Sequence, residues 1–289
     1  MGPVIESAVV QGCLYALVGV GFVVLFRATG VLNFAQGAFM VLGGFLFSTL
    51  HSRFDLNLYL ALVATILAMG VIGAAVYMGA FRRLVGAAPF TLVIATLGLA
   101  IVLQTATVLI WGPGLRTLPL LLSIRPAVHI VGVSFSALEL FCIVVSLVLI
   151  GSLQLLLRRT RLGTRMRAVA DNTLLAGLTG VRVHGMSALA WGIAASCAGV
   201  AGVCIALRTA LDPIQLQGFG LVAFAAVLLG GMDSILGALV GGLVLGLVQA
   251  LAVHRFGGTW SDAVAYMVLL AMLLVRPQGV FGRPETLRL

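Results

Sequence analysis

The chain is poor in charge and has only one kind of base. Charged residues make up 9% of its 289 residues, against about 25% in soluble domains, too few to cover a surface that meets water on all sides. All 17 basic side chains are arginine; lysine is absent. That absence excludes a P-loop, whose lysine must reach the outer phosphates of a nucleotide. Also missing are HExxH, GxSxG and paired carboxylates within an apolar run, which excludes the common hydrolytic constellations. Cysteine is scarce and scattered. Cys13, Cys142, Cys197 and Cys204 lie inside apolar runs without the close pairing of a metal site or thiol motif, and read as small packing residues. His51, His129, His184 and His254 fall in loops or at run ends with no metal-ligand spacing, so no metal site is expected. The net charge of +9 does not call for nucleic acid, because the arginines sit at the ends of apolar runs. Orientation in a membrane and contact with anionic membrane lipid account for them.

Apolar residues, by contrast, make up 62% of the chain, and uncharged stretches of about 20 residues recur along it, each long enough to cross a hydrocarbon core roughly 30 Å thick. The fold class is therefore all-α: one polytopic transmembrane helical bundle over residues 1–289, of about eight to nine spans with broken or re-entrant helices. Candidate spans are Ser7 to Phe26, Val31 to Leu50, Leu56 to Phe81, Phe90 to Trp111, Val128 to Leu157 and Met186 to Leu207. A broken region follows: Gly218 to Gly231, a turn at Gly230 to Ser234, then Ile235 to Val253 and Ala263 to Val275. Met1 to Ser7 carries only Glu6 and no basic residue, so the first run is expected to be a retained span rather than a cleaved signal peptide.

Arginine placement orients the bundle, since cytoplasmic loops carry the arginine excess. Arg158, Arg159, Arg161, Arg165, Arg167 and Arg182 share one connection whose only acidic residue is Asp171. With that connection inside, counting back puts Arg82, Arg83 and Arg27 inside and Glu6 outside. Counting forward puts the tail, with Arg276, Arg283 and Arg288, inside only if Gly218 to Gly231 crosses. That gives nine spans with Gly230 to Ser234 turning on the inner side. If the segment is re-entrant, the tail lies outside against its charge, so the crossing version is preferred.

Glycine is abundant, 36 residues, about twice the soluble average. Gly237, Gly241, Gly242 and Gly246 recur at helical spacing, which lets backbones approach closely where no hydrophobic force drives helices together. Non-helical backbone at membrane depth is tolerated only where protein or a watery cavity covers it, so the breaks are functional candidates. In the first, Asn33 and Gln36 fall on one helical face ahead of Gly37; they line a translocation pathway or hydrogen-bond between helices. In the second, Gly230 and Gly231 precede Asp233, which is a gate element or, the preferred reading, a helix N-cap. Glu139 sits near the outer start of its span and is assigned no role.

The inner connection carries the strongest local pattern. Leu162, Met166 and Val169 fall on one side of a short helix. Asp171 or Asn172 can cap a second helix of roughly two turns that Gly180 stops, and this helix presents Leu174, Leu175 and Leu178. A loop that only set topology would not need that apolar face, so a docking surface is the favoured reading.

Several segments resemble those of branched-chain amino-acid ABC transporter permeases. The cytoplasmic loop RRTRLGTRMRAVADNTLLAGLTGVRV, the early VLNFAQGAFMVLGG, the late FAAVLLGGMDSILGALVGGLVLG and the closing LLVRPQGVFG occur in the family's order. The resemblance implies the permease subunit of a binding-protein-dependent importer, not itself an enzyme, in the bacterial inner membrane. Its implied partners are a second related permease, two cytoplasmic ATPase subunits that hold ATP and Mg, and a periplasmic or lipid-anchored substrate-binding protein; no cofactor is implied in this chain. Carried over residue by residue, Arg161, Gly163, Arg165, Arg167, Ala168, Ala176 and Gly180, joined by Asp171, Leu174 and Leu178, belong to a coupling loop spanning 158–183. Asn33, Ala35 and Gly37 match the early motif, while Asp233 departs from the late one. The implied substrate is a branched-chain or other hydrophobic amino acid. Related permeases for urea, short amides or aromatic acids are the alternative within the class. An ion-gradient-driven secondary transporter is the alternative outside it, but the spans lack the deep ionisable residues such carriers use.

Overall fold

A computed structural model describes residues 1–282 except 120, 125, 131, 132, 215 and 277. Arg283 and Arg288 of the expected inner tail lie outside the described residues. The described residues form eleven α-helices and one hairpin: α1 (Gly2–Thr29), α2 (Gln36–Phe54), α3 (Leu58–Gly79), α4 (Pro89–Trp111), β1 (Pro126–Ile130), β2 (Val133–Ser136), α5 (Ala137–Arg159), α6 (Arg161–Asp171), α7 (Thr173–Leu178), α8 (Val183–Arg208), α9 (Gln217–Gly230), α10 (Ile235–Phe256) and α11 (Ser261–Val275). Seven helical stretches are long and apolar enough to cross a membrane: α1, α3, α4, α5, α8, α10 and the stretch 258–275 that ends in α11. The chain is thus a multi-pass helical membrane protein.

Burial sorts these helices into two shells. In α1 and α8, 83% and 78% of the most apolar window is buried, against 28%, 22% and 28% in α3, α4 and α5. The first pair is the packed axis of the bundle. The others turn long apolar faces outward, where lipid or a partner subunit takes the place of water. All four cysteines are buried and unpaired, as expected of small packing residues.

Glycine sets the approach of the central helices. A Cβ on Gly242 of α10 would lie 2.6 Å from the Gly12 carbonyl oxygen of α1, and one on Gly246 would lie 2.5 Å from that of Ala8. On a second face of α10, Gly237 and Gly241 meet the backbone of Gly230 and Ala226 in α9. The four glycines read from the sequence therefore serve two seams of one helix. Backbone contact of this kind replaces the absent hydrophobic drive with dispersion between closely packed atoms.

Of the four helices outside the seven, α6 and α7 form the inner connection, while α2 and α9 adjoin the two breaks marked in the sequence. The 14-residue α9 is about 21 Å long at 1.5 Å per residue, short of the roughly 30 Å core. Its start packs at mid-depth, with the Phe219 ring 4.5 Å from that of Tyr15 in α1. Its end, with Asp233, Ser234 and Phe281, shares a cavity with Arg27, Arg158 and Arg167. The turn after α9 and residue 281 thus lie at the arginine-rich end of the bundle, while seven helical stretches among the described residues, against the eight to nine spans expected, are long and apolar enough to cross a membrane.

One expected span starts late. Residues 128–130 and 133–136 do not belong to the helix that ends at Arg159. Residues 128–130 lie in β1 and 133–136 in β2, an antiparallel pair in which Val128 pairs with Phe135 and His129 with Ser134. The helix begins only at Ala137, because Ser136 and Glu139 form a reciprocal cap: the Glu139 amide donates to Ser136 Oγ at 3.3 Å, and the Ser136 amide donates to Glu139 Oε2 at 2.8 Å. Such a box satisfies two otherwise free donors and fixes the first turn. Glu139, given no role from sequence, is its acidic half.

Candidate functional site

The first break lies between α1 and α2. Gly30, in the left-handed conformation at φ 68°, ends α1, and residues 31–35 run without helical structure to Gln36. Unpaired backbone at this depth would cost several kcal/mol per group, and side chains supply the partners. The Ala35 amide donates to Asn33 Oδ1 at 3.1 Å. Thr96 of α4 accepts from the Phe34 amide at 3.3 Å and lies 3.2 Å from the Leu32 carbonyl oxygen, to which its hydroxyl donates.

Asn33 and Gln36 are brought together. Both are fully buried, and Asn33 Nδ2 donates to Gln36 Oε1 at 3.3 Å. Gln36 Nε2 in turn donates to the Ala194 carbonyl of α8 at 2.8 Å. The Gln36 amide occupies space that a side chain at Gly21 of α1 would fill. In this conformation Gln36 ties α2 to α8, and Asn33 supports it from the same segment.

Gly37 sits where α2 meets α9: a Cβ on Gly220 would lie 2.6 Å from Gly37 Cα. Two helices that both start inside the bundle therefore touch at their first turns. Gly21, Thr96 and Gly220 were missed from sequence. Their partners lie far along the chain, and none carries a local signal beyond being small.

Gly230 and Gly231 are not at this junction. They lie about ten residues along α9 from Gly220, or about 15 Å, at its inner end. There the tail folds back, with the Val280 amide donating to Leu229 O at 2.9 Å and the Phe281 amide to Gly230 O at 3.0 Å. These bonds use carbonyls that the end of α9 leaves free. Gly231 has φ +100° and the Gly282 amide against it, so a side chain there is excluded both by backbone conformation and by space. The expectation that Asp233 caps α10 is corrected: the cap is Ser234, whose Oγ accepts from the Gly237 amide at 2.9 Å. Ser234 has the extended backbone a cap needs, while Asp233, one residue earlier, is exposed.

The inner connection folds as two short helices. Thr160 caps α6 by accepting from the Gly163 amide at 3.3 Å. Gly163 lies against the backbone of Leu157 with no room for a Cβ. Arg167 Nη1 donates to Leu157 O at 2.7 Å, so the α5–α6 corner is held by an arginine on a free helix-end carbonyl. Met166 and Val169 are buried and Leu162 is half-buried; the apolar side of α6 thus packs onto the bundle. Ala168 is half-buried, while Arg161, Arg165 and Asp171 are exposed.

Asn172 caps α7 by accepting from the Leu175 amide at 2.9 Å, and Gly180 follows at φ +80°. Ala176 faces inward, but Leu174, Leu175 and Leu178 are 74%, 56% and 77% exposed. Three leucines that far from cover, at the arginine-rich end of the bundle, form an exposed apolar face of the kind that marks interaction sites.

Between α1, α5, α6 and the start of α10 lies a cavity of about 880 Å³. Arg27, Arg158 and Arg167 line it together with Asp171 and Asp233, and Phe26 and Phe281 supply aromatic surface.

The profile of the family described as "Branched-chain amino acid transport system / permease component" matches residues 4–274. The chain is 32% identical over 287 residues to the high-affinity branched-chain amino acid transport system permease protein BraD of Pseudomonas aeruginosa, covering 95% of this chain and 93% of that one. It is 28% identical to the permease protein LivH of Escherichia coli K12, over 96% of this chain and 94% of the other. It is also 28% identical to the probable branched-chain amino acid transport permease protein LivH of Methanocaldococcus jannaschii, over 96% and 92%. No solved structure matches it. With spans, breaks and inner loop all inside the matched residues, the chain belongs to the permease component family of branched-chain amino acid transport systems.

Proposed function

We propose that this chain is the membrane-spanning subunit of a binding-protein-dependent ABC importer that carries branched-chain or other hydrophobic amino acids across the bacterial inner membrane. The observation that carries the reading is the exposed leucine face of α7, set on a two-helix loop at the arginine-rich end. Two ATPase subunits, holding ATP and Mg, dock on this face. A second related permease completes the channel, and a periplasmic or lipid-anchored binding protein delivers the substrate. The coupling loop is the set Arg161, Gly163, Arg165, Arg167, Ala168, Asp171, Leu174, Ala176, Leu178 and Gly180. Of these, Gly163, Arg167 and Ala176 hold the loop to the bundle, while Arg161, Arg165, Leu174 and Leu178 face outward.

Nucleotide binding closes the ATPase pair and displaces α7, and α6, one residue before it, moves with it. The bundle then alternates between outward and inward access. Nucleotide drives this only through its different affinity for the two states. The pathway passes the junction of α2 and α9, with Asn33, Gln36 and Gly37 at mid-depth and Gly230 and Gly231 at the inner end. Asn33 and Gln36 hold the closed arrangement and exchange partners as it opens.

Leucine uptake by the reconstituted importer tests the reading. Replacing Leu174 and Leu178 together by Ala should abolish uptake while the ATPase subunits keep hydrolysing ATP. Uptake at the unmodified rate in the double variant would refute the docking assignment.

A further inference from the structure

A groove is left open on the outside of the bundle where α3 and α5 flank α8. It runs from Ala74 to Ile66 on α3 and from Ala188 to Val200 on α8, past Leu149 and Leu153 of α5. Leu67, Val71 and Leu189 on its rim are exposed. Its floor is a backbone contact, since a Cβ on Gly192 of α8 would lie 2.8 Å from the Gly70 carbonyl oxygen of α3. The hydroxyl in its lining, on Ser196, donates to the Ile66 carbonyl oxygen at 2.8 Å, so the groove offers a ligand apolar surface. At 1.5 Å per residue its inner end lies about 7–9 Å from Gly79, Arg159 and Val183, where the flanking helices reach the arginine-rich side. It stops about 12 Å short of the outer ends of α3 and α8. Its length along α8 is about 18 Å, close to the ~15 Å that one leaflet contributes to the hydrocarbon core. The groove thus occupies the depth of the inner leaflet.

We propose that this groove seats one acyl chain of an anionic phospholipid of the inner leaflet, with the lipid phosphate on the arginines at its inner end. Exposed Arg82 and Arg83 follow α3, Arg159 ends α5, and Arg182 precedes α8. Residues 79–88, 154–162 and 179–187 contain no acidic residue, so the charge around the inner end is of one sign. Guanidinium groups bind phosphate oxygens through paired donors, and basic groups at the cytoplasmic surface favour anionic lipid. The volume of about 470 Å³, spread over about 18 Å, gives a cross-section of about 26 Å². A helix 10–12 Å across presents about 80–110 Å²; a hydrocarbon chain enters this groove, and a helix of another subunit does not. Lipid tails are as apolar as leucine, so the groove supplies shape and the arginines select among lipids. Because Arg182 joins the inner loop to α8, a phosphate held there ties that loop to the membrane surface. The inference depends on the orientation of the bundle and stands apart from the importer reading.

The test places the purified full chain in nanodiscs of equal phosphatidylglycerol and phosphatidylcholine with identical acyl chains. Native mass spectrometry then reads the lipid retained on the released chain. Phosphatidylglycerol should be retained about fivefold over phosphatidylcholine. Arg82→Gln combined with Arg182→Gln should bring that ratio to about one, while the corresponding Lys pair, which keeps the charge, should hold most of the preference and guards against a folding defect. Ala74→Trp fills the groove and leaves every arginine in place, and it should also abolish the preference. Gly98→Trp adds the same ring to an open face of α4 and should leave the ratio unchanged. Equal retention of the two lipids by the unmodified chain, or a preference that survives Ala74→Trp, overturns the proposal. Release as a lipid-free dimer overturns it as well, because a second copy of the chain would then cover the groove.

Discussion

Gly21→Ala tests whether the Asn33 and Gln36 amides lock the first break. A Cβ at this position collides with the Gln36 amide and lies 3.1 Å from the Ala194 carbonyl oxygen, so Gln36 must swing away. It then gives up its 2.8 Å bond to Ala194 O and the 3.3 Å bond from Asn33. Interhelical hydrogen bonds in membranes contribute about 0.6 kcal/mol on average and up to about 1.7, and a stranded buried amide costs about 1–3 kcal/mol. Two lost bonds and one stranded Asn33 sum to about 2–4 kcal/mol. Gln36→Ala empties the same space, so in that background Gly21→Ala should cost less than about 0.5 kcal/mol, leaving a coupling energy of at least about 1.5 kcal/mol between the two sites. Equilibrium unfolding of the full chain in mixed detergent micelles measures all four corners of this cycle. Additive effects of the two substitutions would refute the lock.

Gly242→Val forces α10 away from Gly12 and Ala16 of α1 and should cost about 3 kcal/mol or more in the same assay. Gly98→Val in α4, where nothing lies within 4 Å, should change stability by less than about 0.5 kcal/mol. Ser136→Ala removes the cap of α5 and should lower stability by about 1 kcal/mol; no change would mean the hairpin alone fixes the helix start. Arg167→Met breaks the bond to Leu157 O and should speed tryptic cleavage after the exposed Arg161 and Arg165, read by mass spectrometry of the fragments. An unchanged digestion rate would contradict its role as the pin of the corner.

Long apolar runs made the spans legible, because each must satisfy its backbone internally and so declares itself by length. The glycine spacing of α10 was legible for a related reason: a seam recurs with the helical period. The β1–β2 hairpin was not, since its residues are as apolar as the helix that follows. The signal that separates them is the Ser136-x-x-Glu139 pair, together with the alternation of Val133, Ser134, Phe135 and Ser136. Ser234 and Asp233 are both good caps, and only the backbone conformation chooses between them. In the first break, Asn33 and Gln36 announced themselves as polar residues in an apolar run. Their partners Thr96, Gly21 and Ala194 were invisible because a contact across such sequence separation leaves no local period. On the inner loop the outward leucines and a cap of α7 at Asp171 or Asn172 could be read directly, since both depend only on neighbours within two turns; the backbone conformation selects Asn172.

The burial of Cys13, Cys142, Cys197 and Cys204, none more than 3% exposed, gives the native chain no thiol at its surface. A maleimide dye or spin label will therefore find only a cysteine placed there on purpose. Leu178→Cys on α7 paired with Leu109→Cys at the far end of α4, both highly exposed positions, would turn the unmodified scaffold into a spectroscopic ruler for the working cycle, with no native residue to remove first.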